Sequence, residues 1–233
     1  LLKSIQQAQK APASETLEQQ AIAYNDLGRL YDLKGDLTQQ RQSFQAAYAL
    51  DNEHPGLIGA KTRALTLHNL AVVEADNHKS LALEKEVLAL RLPLFGEEHA
   101  TVLHTRMIIA TLEGALGNAP GAITQFEAAL PRQEILLGSD HRDRAIQLTH
   151  YSRQLNRVGR FSDAVAVAQE ALRINRLYRP DDSIYTLLTQ AVLVENQTMA
   201  GDFAAARETS LAMIPHVSDD AQAGFRFCLH AHG

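Results

Sequence analysis

Glycine followed by a polar residue and an apolar one returns along this chain at a constant step. Gly117-Asn118, Gly159-Arg160-Phe161 and Gly201-Asp202-Phe203 stand 42 residues apart, and Gly35-Asp36-Leu37 is the same punctuation near the start. After each comes a helical pattern with small residues on one face: Ala122 and Ala129, then Ala164, Ala168 and Ala171, then Ala206. A fixed period of this size marks stacked helical hairpins, because no single hairpin can bury its own apolar face. The period therefore predicts an all-α fold. It also predicts a kind of use, since a row of hairpins makes an extended binding groove and not a reaction vessel.

The first pair shows how the pattern is built. Leu17, Ala21, Tyr24, Leu27, Leu30 and Tyr31 follow the three-and-four spacing of one helix face, with Ser14 as expected N-cap and Glu15 in the first turn. Lys34-Gly35-Asp36 ends that helix, glycine being free to take the left-handed cap conformation. A second helix carries Phe44, Ala47 and Leu50 until Pro55-Gly56 breaks it. Four further first helices are expected over 57–77, 100–116, 142–158 and 183–200, with second helices over 80–94, 119–137, 161–178 and 203–214. Residues 1–233 thus read as one solenoid domain of about five hairpins: 16–55, 56–97, 98–139, 140–181 and 182–216. Partial flanking helices are expected at 1–10 and 218–231. Gly28 sits in mid-helix at a cost of about 1 kcal/mol relative to alanine, which a closely approaching partner helix would explain. Ala71, Ala110 and Ser152 take the same place in later repeats.

Composition removes several classes of function. Net charge is −5, from 22 basic and 27 acidic residues, with no basic run long enough to track a phosphate backbone, which argues against nucleic acid. No apolar stretch reaches the ~18 residues of a membrane span. The single cysteine, Cys228, cannot form an internal disulfide and leaves the compartment unread, with cytoplasm favoured over periplasm. The chain opens on Leu1 in what reads as a helix already under way, so a fragment of a longer protein is expected.

Tyr24-x-x-Leu27-Gly28-x-x-Tyr31 has the spacing of the first-helix signature of the tetratricopeptide repeat, with tyrosine for the usual tryptophan. Phe44, Ala47 and Asn52 fall where that family places its aromatic, its alanine and its helix-ending proline. The later repeats resemble the longer variety found in kinesin light chains and many bacterial signalling proteins. Phe95-Gly96-Glu97-Glu98-His99 and Leu137-Gly138-Ser139-Asp140-His141 match its Leu-Gly-x-x-His loop, and Leu67-His68-Asn69-Leu70-Ala71 its Leu-Asn-Asn-Leu-Ala helix. The resemblance covers roughly residues 16–214 and implies a right-handed α-α superhelix. Departures are Gln40 in an alanine position, which predicts looser packing of the first pair, Arg106 and Gln190 in apolar ones, and Asp182 for the loop histidine.

Candidate chemistry is thin. Gly56-Leu57-Ile58-Gly59-Ala60-Lys61-Thr62 lacks the glycine that a phosphate-binding loop needs before its lysine, and no strand precedes it. The 10 histidines include no metal-binding pair on a helix face; His99 and His141 sit in equivalent loops and are expected to cap or brace them. His230-Ala231-His232 lies at a chain end. Asp181-Asp182 and Asp219-Asp220 suit the positive ends of helix dipoles. No catalytic site, cofactor or metal is therefore expected, and the chain reads as a non-enzyme.

What remains is the groove that the family resemblance implies, lined by first-helix residues facing away from the second helix. By position these are Asn25, Arg29 and Asp32, then His68 and Val72, then Met107 and Thr111, then Thr149, Arg153 and Asn156, then Ala191 and Glu195. Their amides and guanidinium groups suit the backbone or carboxylates of an extended peptide. The function expected is a scaffold that binds a peptide or protein domain. Two alternatives stand beside it: a regulatory or sensory segment of a larger bacterial kinase or transcription regulator, and self-association through terminal apolar residues (Leu1, Leu2 and Ile5, or Phe225, Phe227 and Leu229).

Overall fold

The computed structural model describes residues 13–181 and 183–216. The flanking helices expected at 1–10 and 218–231, together with Asp182, Asp219-Asp220, Cys228 and the terminal histidines, lie outside the described residues. The described residues form ten α-helices and a final 3₁₀ turn, with no strand. They follow one another as hairpins: α1 (Ala13–Lys34) with α2 (Leu37–Glu53), α3 (Ala60–Val73) with α4 (Asn77–Phe95), and α5 (Ala100–Ala115) with α6 (Ala119–Leu137). Next come α7 (Arg142–Arg157) with α8 (Phe161–Tyr178), and α9 (Ile184–Met199) with α10 (Phe203–Met213). They gather into two compact units that divide within α5, one up to Thr105 and one from Arg106.

The periodic glycines make the turns for a conformational reason. Gly35, Gly117, Gly159 and Gly201 all have φ between 72° and 106°, which a side chain disfavours. At each, the next residue's N–H reaches back five positions, as from Asp36 to the Tyr31 carbonyl at 3.0 Å. The glycine N–H reaches back three, as from Gly35 to Asp32 at 3.0 Å. This is the Schellman closure, which satisfies the last carbonyls of the first helix. The residue after the glycine then caps the second helix: Asp36, Asn118 and Asp202 accept N–H bonds from Gln39, Gly121 and Ala205 at 3.1, 3.2 and 3.1 Å. Arg160 occupies this place before α8 and makes no side-chain cap. Its guanidinium pairs with Asp163 and Glu127 on the surface, where solvent screening leaves such pairs little net worth. Arg160→Asn supplies the missing acceptor and is expected to raise stability by about 0.5–1 kcal/mol in urea unfolding.

Several boundaries differ from expectation, and α3 begins at Ala60 and not at 57. The first helix already includes Ala13, so Ser14 lies within it and is not its N-cap. The second hairpin turns early: α3 stops at Val73, not 77, and α4 starts at Asn77, not 80. The reason is the residue at the turn. Ala75 stands 42 positions before Gly117, and no described non-glycine residue takes positive φ. The helix gives up its last turn, and its carbonyls find other donors: Ser80 Oγ to Ala71 at 2.9 Å, and the Arg41 guanidinium to Val73.

Each unit has its own core. In the first, Ala21, Phe44, Ala47, Leu67 and Val87 are buried, and the Phe44 ring lies directly over Gly28. Gln40, expected to loosen this pair, is itself buried and donates to Asp32 Oδ1 at 3.0 Å, so the larger side chain is accommodated by a hydrogen bond. In the second, Met107, Phe126, Tyr151, Leu155 and Ile174 share one cluster with Ala110, Ala122, Ala129, Ala145, Ala164 and Ala171. The small residues are what let helix axes approach closely enough to close-pack.

Candidate interaction surface

The inner faces of the first helices carry two kinds of polar residue, and only one kind reaches solvent. Asn25 has no exposed surface: its amide donates to the Ala21 carbonyl at 2.9 Å and Thr66 Oγ1 at 2.8 Å, and accepts from Asn69 at 2.8 Å. Thr149 is buried and meets Thr189 at 3.1 Å. Asn156 donates to Asn196 at 2.6 Å, and Asn196 donates on to the Ala164 carbonyl at 3.1 Å. These side chains stitch one first helix to the next. Met107 is completely buried in the second unit's core, so it offers no surface to a ligand. His68 is mostly buried and its Nδ1 lies 2.7 Å from Glu84 Oε1, a hydrogen bond within its own hairpin. The physical reason is a helical offset. Each of Asn25, His68, Met107 and Thr149 stands three positions before a small residue (Gly28, Ala71, Ala110, Ser152), and at three residues a side chain shares that residue's packed face.

One position beyond each small residue the side chain turns outward. Arg29 is 69% exposed, with a loose 3.8 Å pair to Asp26, and Val72 is 61% exposed. Asp32 is exposed as well. In the second unit Thr111, Arg153 and Ala191 are half-buried and Glu195 is exposed. Seven positions earlier on the same face, by the two-turn repeat of a helix, lie apolar residues that the sequence reading did not single out: Ile22 and Leu65 in the first unit, Ile146 and Leu188 in the second. Ile146 and Leu188 carried a signal, a 42-residue step, whereas Ile22 and Leu65 stand 43 apart and fall out of that period.

A second ladder was also missed. At the joints, the end of one second helix meets the next first helix through polar residues, all buried but Arg63. Asp51 pairs with Arg63 at 3.3 Å, Arg91 donates to Thr105 at 2.7 Å, and Asn175 donates to Thr189 at 2.9 Å. Gln133 and Gln147 hold the same two places and are both buried. Burial lowers the affinity of the Arg91 guanidinium for its proton, against the opposing pull of Glu84.

The remaining sequence candidates have structural places. His99 Nδ1 accepts the Thr101 N–H at 3.2 Å while its ring stacks on Phe95 at 4.8 Å, and His141 Nδ1 accepts the Asp143 N–H at 3.3 Å. Both histidines therefore cap the helix that follows them. Asp181 pairs with Arg176 at 2.9 Å. The start of α3, where the sequence faintly resembles a phosphate loop, already holds an anion: the Glu18 carboxylate accepts from Gly59 N–H at 2.6 Å and from the Thr62 hydroxyl. Among the described residues no three His, Cys, Asp or Glu side chains are placed to hold a metal ion, and no helix is long and apolar enough to cross a membrane.

These features define an all-α helical-repeat protein whose first helices, taken unit by unit, keep some polar and apolar side chains open to solvent. Residues 102–143 match the tetratricopeptide repeat family. A search of curated proteins finds no match. Among solved structures, BtubC (BKLC) from P. vanneervenii superposes with a TM-score of 0.66 at 16% identity, covering 94% of this chain and 91% of that one. Two structures of a kinesin-light-chain-type protein with nearly identical TPR-like repeats, from Podosopora anserina, also match. Their TM-scores are 0.59 and 0.55 at 18% and 19% identity, covering 83% and 86% of this chain and 92% of each of theirs. At such identities the likeness carries the fold. One segment of the chain thus matches a tetratricopeptide repeat in sequence, and the chain shares the all-α repeat fold of these kinesin-light-chain-like structures.

Proposed function

We propose that this chain is a non-catalytic scaffold that holds a peptide or protein domain against the open faces of its first helices. Helical repeats of this class generally work by binding proteins. The observation that supports the reading is clearest in the first unit: Gly28 and Ala71 are buried and the next residues, Arg29 and Val72, are turned to solvent, while Thr111 and Arg153 in the second unit are half-buried. Arg29, Asp32 and Val72 in one unit, and Thr111, Arg153 and Glu195 in the other, are the residues assigned to contact. Asn25, His68, Met107, Thr149 and Asn156 serve as the frame that holds those faces in place.

The test is a pull-down with the intact chain, followed by affinity measurement for the partner recovered. Arg29→Ala with Val72→Asp, and separately Arg153→Ala with Glu195→Ala, are expected to weaken binding at least about tenfold with the circular dichroism spectrum unchanged. Full affinity in both double variants would remove the assignment. Self-association is the rival reading, favoured by Phe203, Leu211 and Ile214, which are 68%, 49% and 66% exposed on the last described hairpin. Light scattering that gives a monomer at every concentration ends it.

A further inference from the structure

Helix α3 has no stop signal of its own at either end. Its N-cap residue is Gly59, which carries no side-chain acceptor, and its C-terminal turn has Ala75 where the other described turns have glycine. Compare α5 and α7, which are capped by their own His99 and His141 and closed by Gly117 and Gly159. At 14 residues α3 is the shortest first helix described, near the length at which an isolated helix is marginal in water. Ser80 Oγ of α4 donates to the Ala71 carbonyl at 2.9 Å, but the charged partners at both ends come from the preceding hairpin. From α1, the Glu18 carboxylate takes the Gly59 N–H at 2.6 Å and the Thr62 hydroxyl. From α2, the Arg41 guanidinium donates to the Val73 carbonyl. The charges have the right signs, an anion at the positive end of the helix dipole and a cation at the negative end. A third charged contact, Asp51 of α2 to Arg63 of α3 at 3.3 Å, anchors the side between them.

We propose that α3 is a conditional helix, clamped at both termini by the first hairpin, so that it forms fully only when that hairpin is seated on it. Glu18 and Arg41 are the jaws of the clamp. Loosening either releases α3 locally before either flanking hairpin helix melts. This assignment does not depend on what the repeats bind.

Native-state hydrogen exchange on the intact chain tests it, reading amides 63–73 of α3 against those of α1, α2 and α7. Glu18→Ala and Arg41→Met are each expected to speed α3 exchange about tenfold, and the double variant about a hundredfold, with α1, α2 and α7 within about twofold of the parent. Gly59→Ser then supplies a local cap: Gly59 has φ −65° and ψ 146°, an ordinary backbone for serine, and an added Cβ meets nothing closer than 3.5 Å. In the Glu18→Ala background it is expected to restore most of the lost protection. Three results overturn the proposal: α3 exchange unchanged in the double variant, α1 and α2 loosening as much as α3, or no rescue by Gly59→Ser.

Discussion

Arg63→Met is expected to destabilise the first unit by about 3 kcal/mol at neutral pH, while Asp51→Asn changes it by less than about 1 kcal/mol. The two residues form one ion pair, but their burial is unequal: the Asp51 side chain is 1% exposed and the Arg63 side chain 36%. Removing Arg63 leaves a carboxylate without its counter-charge in the core. Removing the carboxylate leaves a guanidinium that still reaches solvent and still meets Glu86 at 2.8 Å. Burial already pushes the Asp51 carboxyl above its ordinary value of 3.8; Arg63 pulls it down, and Glu86 and Glu18 push it up again. A raised folded-state value means that the folded protein holds the proton better than the unfolded chain. That contribution is complete below the ordinary carboxylate range and is lost as pH rises through the raised value. Without Arg63 the rise is larger, so the cost of Arg63→Met should be greater at about pH 7 than at about pH 4 in urea unfolding followed in the first unit. Equal cost at both pH values, or Asp51→Asn as damaging as Arg63→Met, would contradict this account.

Gly28→Val is expected to cost about 3 kcal/mol, and Gly28→Ala about 1–2 kcal/mol, although helix propensity alone would reward alanine by about 1 kcal/mol. A Cβ at residue 28 would lie 2.3, 2.6 and 2.8 Å from three carbons of the Phe44 ring. The ring is 2% exposed and has nowhere to go. Gly114 is the comparison. A Cβ there meets the Gln154 amide at 2.1 Å and the Ala122 Cβ at 3.1 Å, with Gln154 itself 1% exposed, so Gly114→Ala is expected to destabilise as well. Thermal unfolding of the three variants, with Phe44→Leu as partner in a double-mutant cycle, measures the coupling. If Gly28→Ala stabilises, the close approach inferred at this crossing is wrong.

The order of hairpins was legible in sequence because it rests on local chemistry. Gly35, Gly117, Gly159 and Gly201 mark turns since only glycine takes their backbone angle without strain, and Asp36, Asn118 and Asp202 cap whatever helix follows them. The histidine loops, too, were readable as caps, because His99 and His141 act within two residues of themselves. The second turn was misjudged because it is not closed locally. Ala75 cannot take the glycine angle, and Arg41, 32 residues away from Val73, supplies a donor that no short-range pattern contains.

The surface divides the same way. Spacing placed Asn25, Met107, Thr149 and Arg29 on first helices, and it did so correctly. Which of them meets solvent was decided by the neighbouring hairpin: Thr66 and Asn69 claim Asn25, Thr189 claims Thr149, and the second unit's core claims Met107, while nothing covers most of Arg29. Period, helix ends and small-residue positions depend on a few consecutive residues, so the sequence by itself determined them. Burial depends on contacts 40 or more residues apart, such as Asn25 with Thr66 and Thr149 with Thr189, and only the stacked hairpins could assign it.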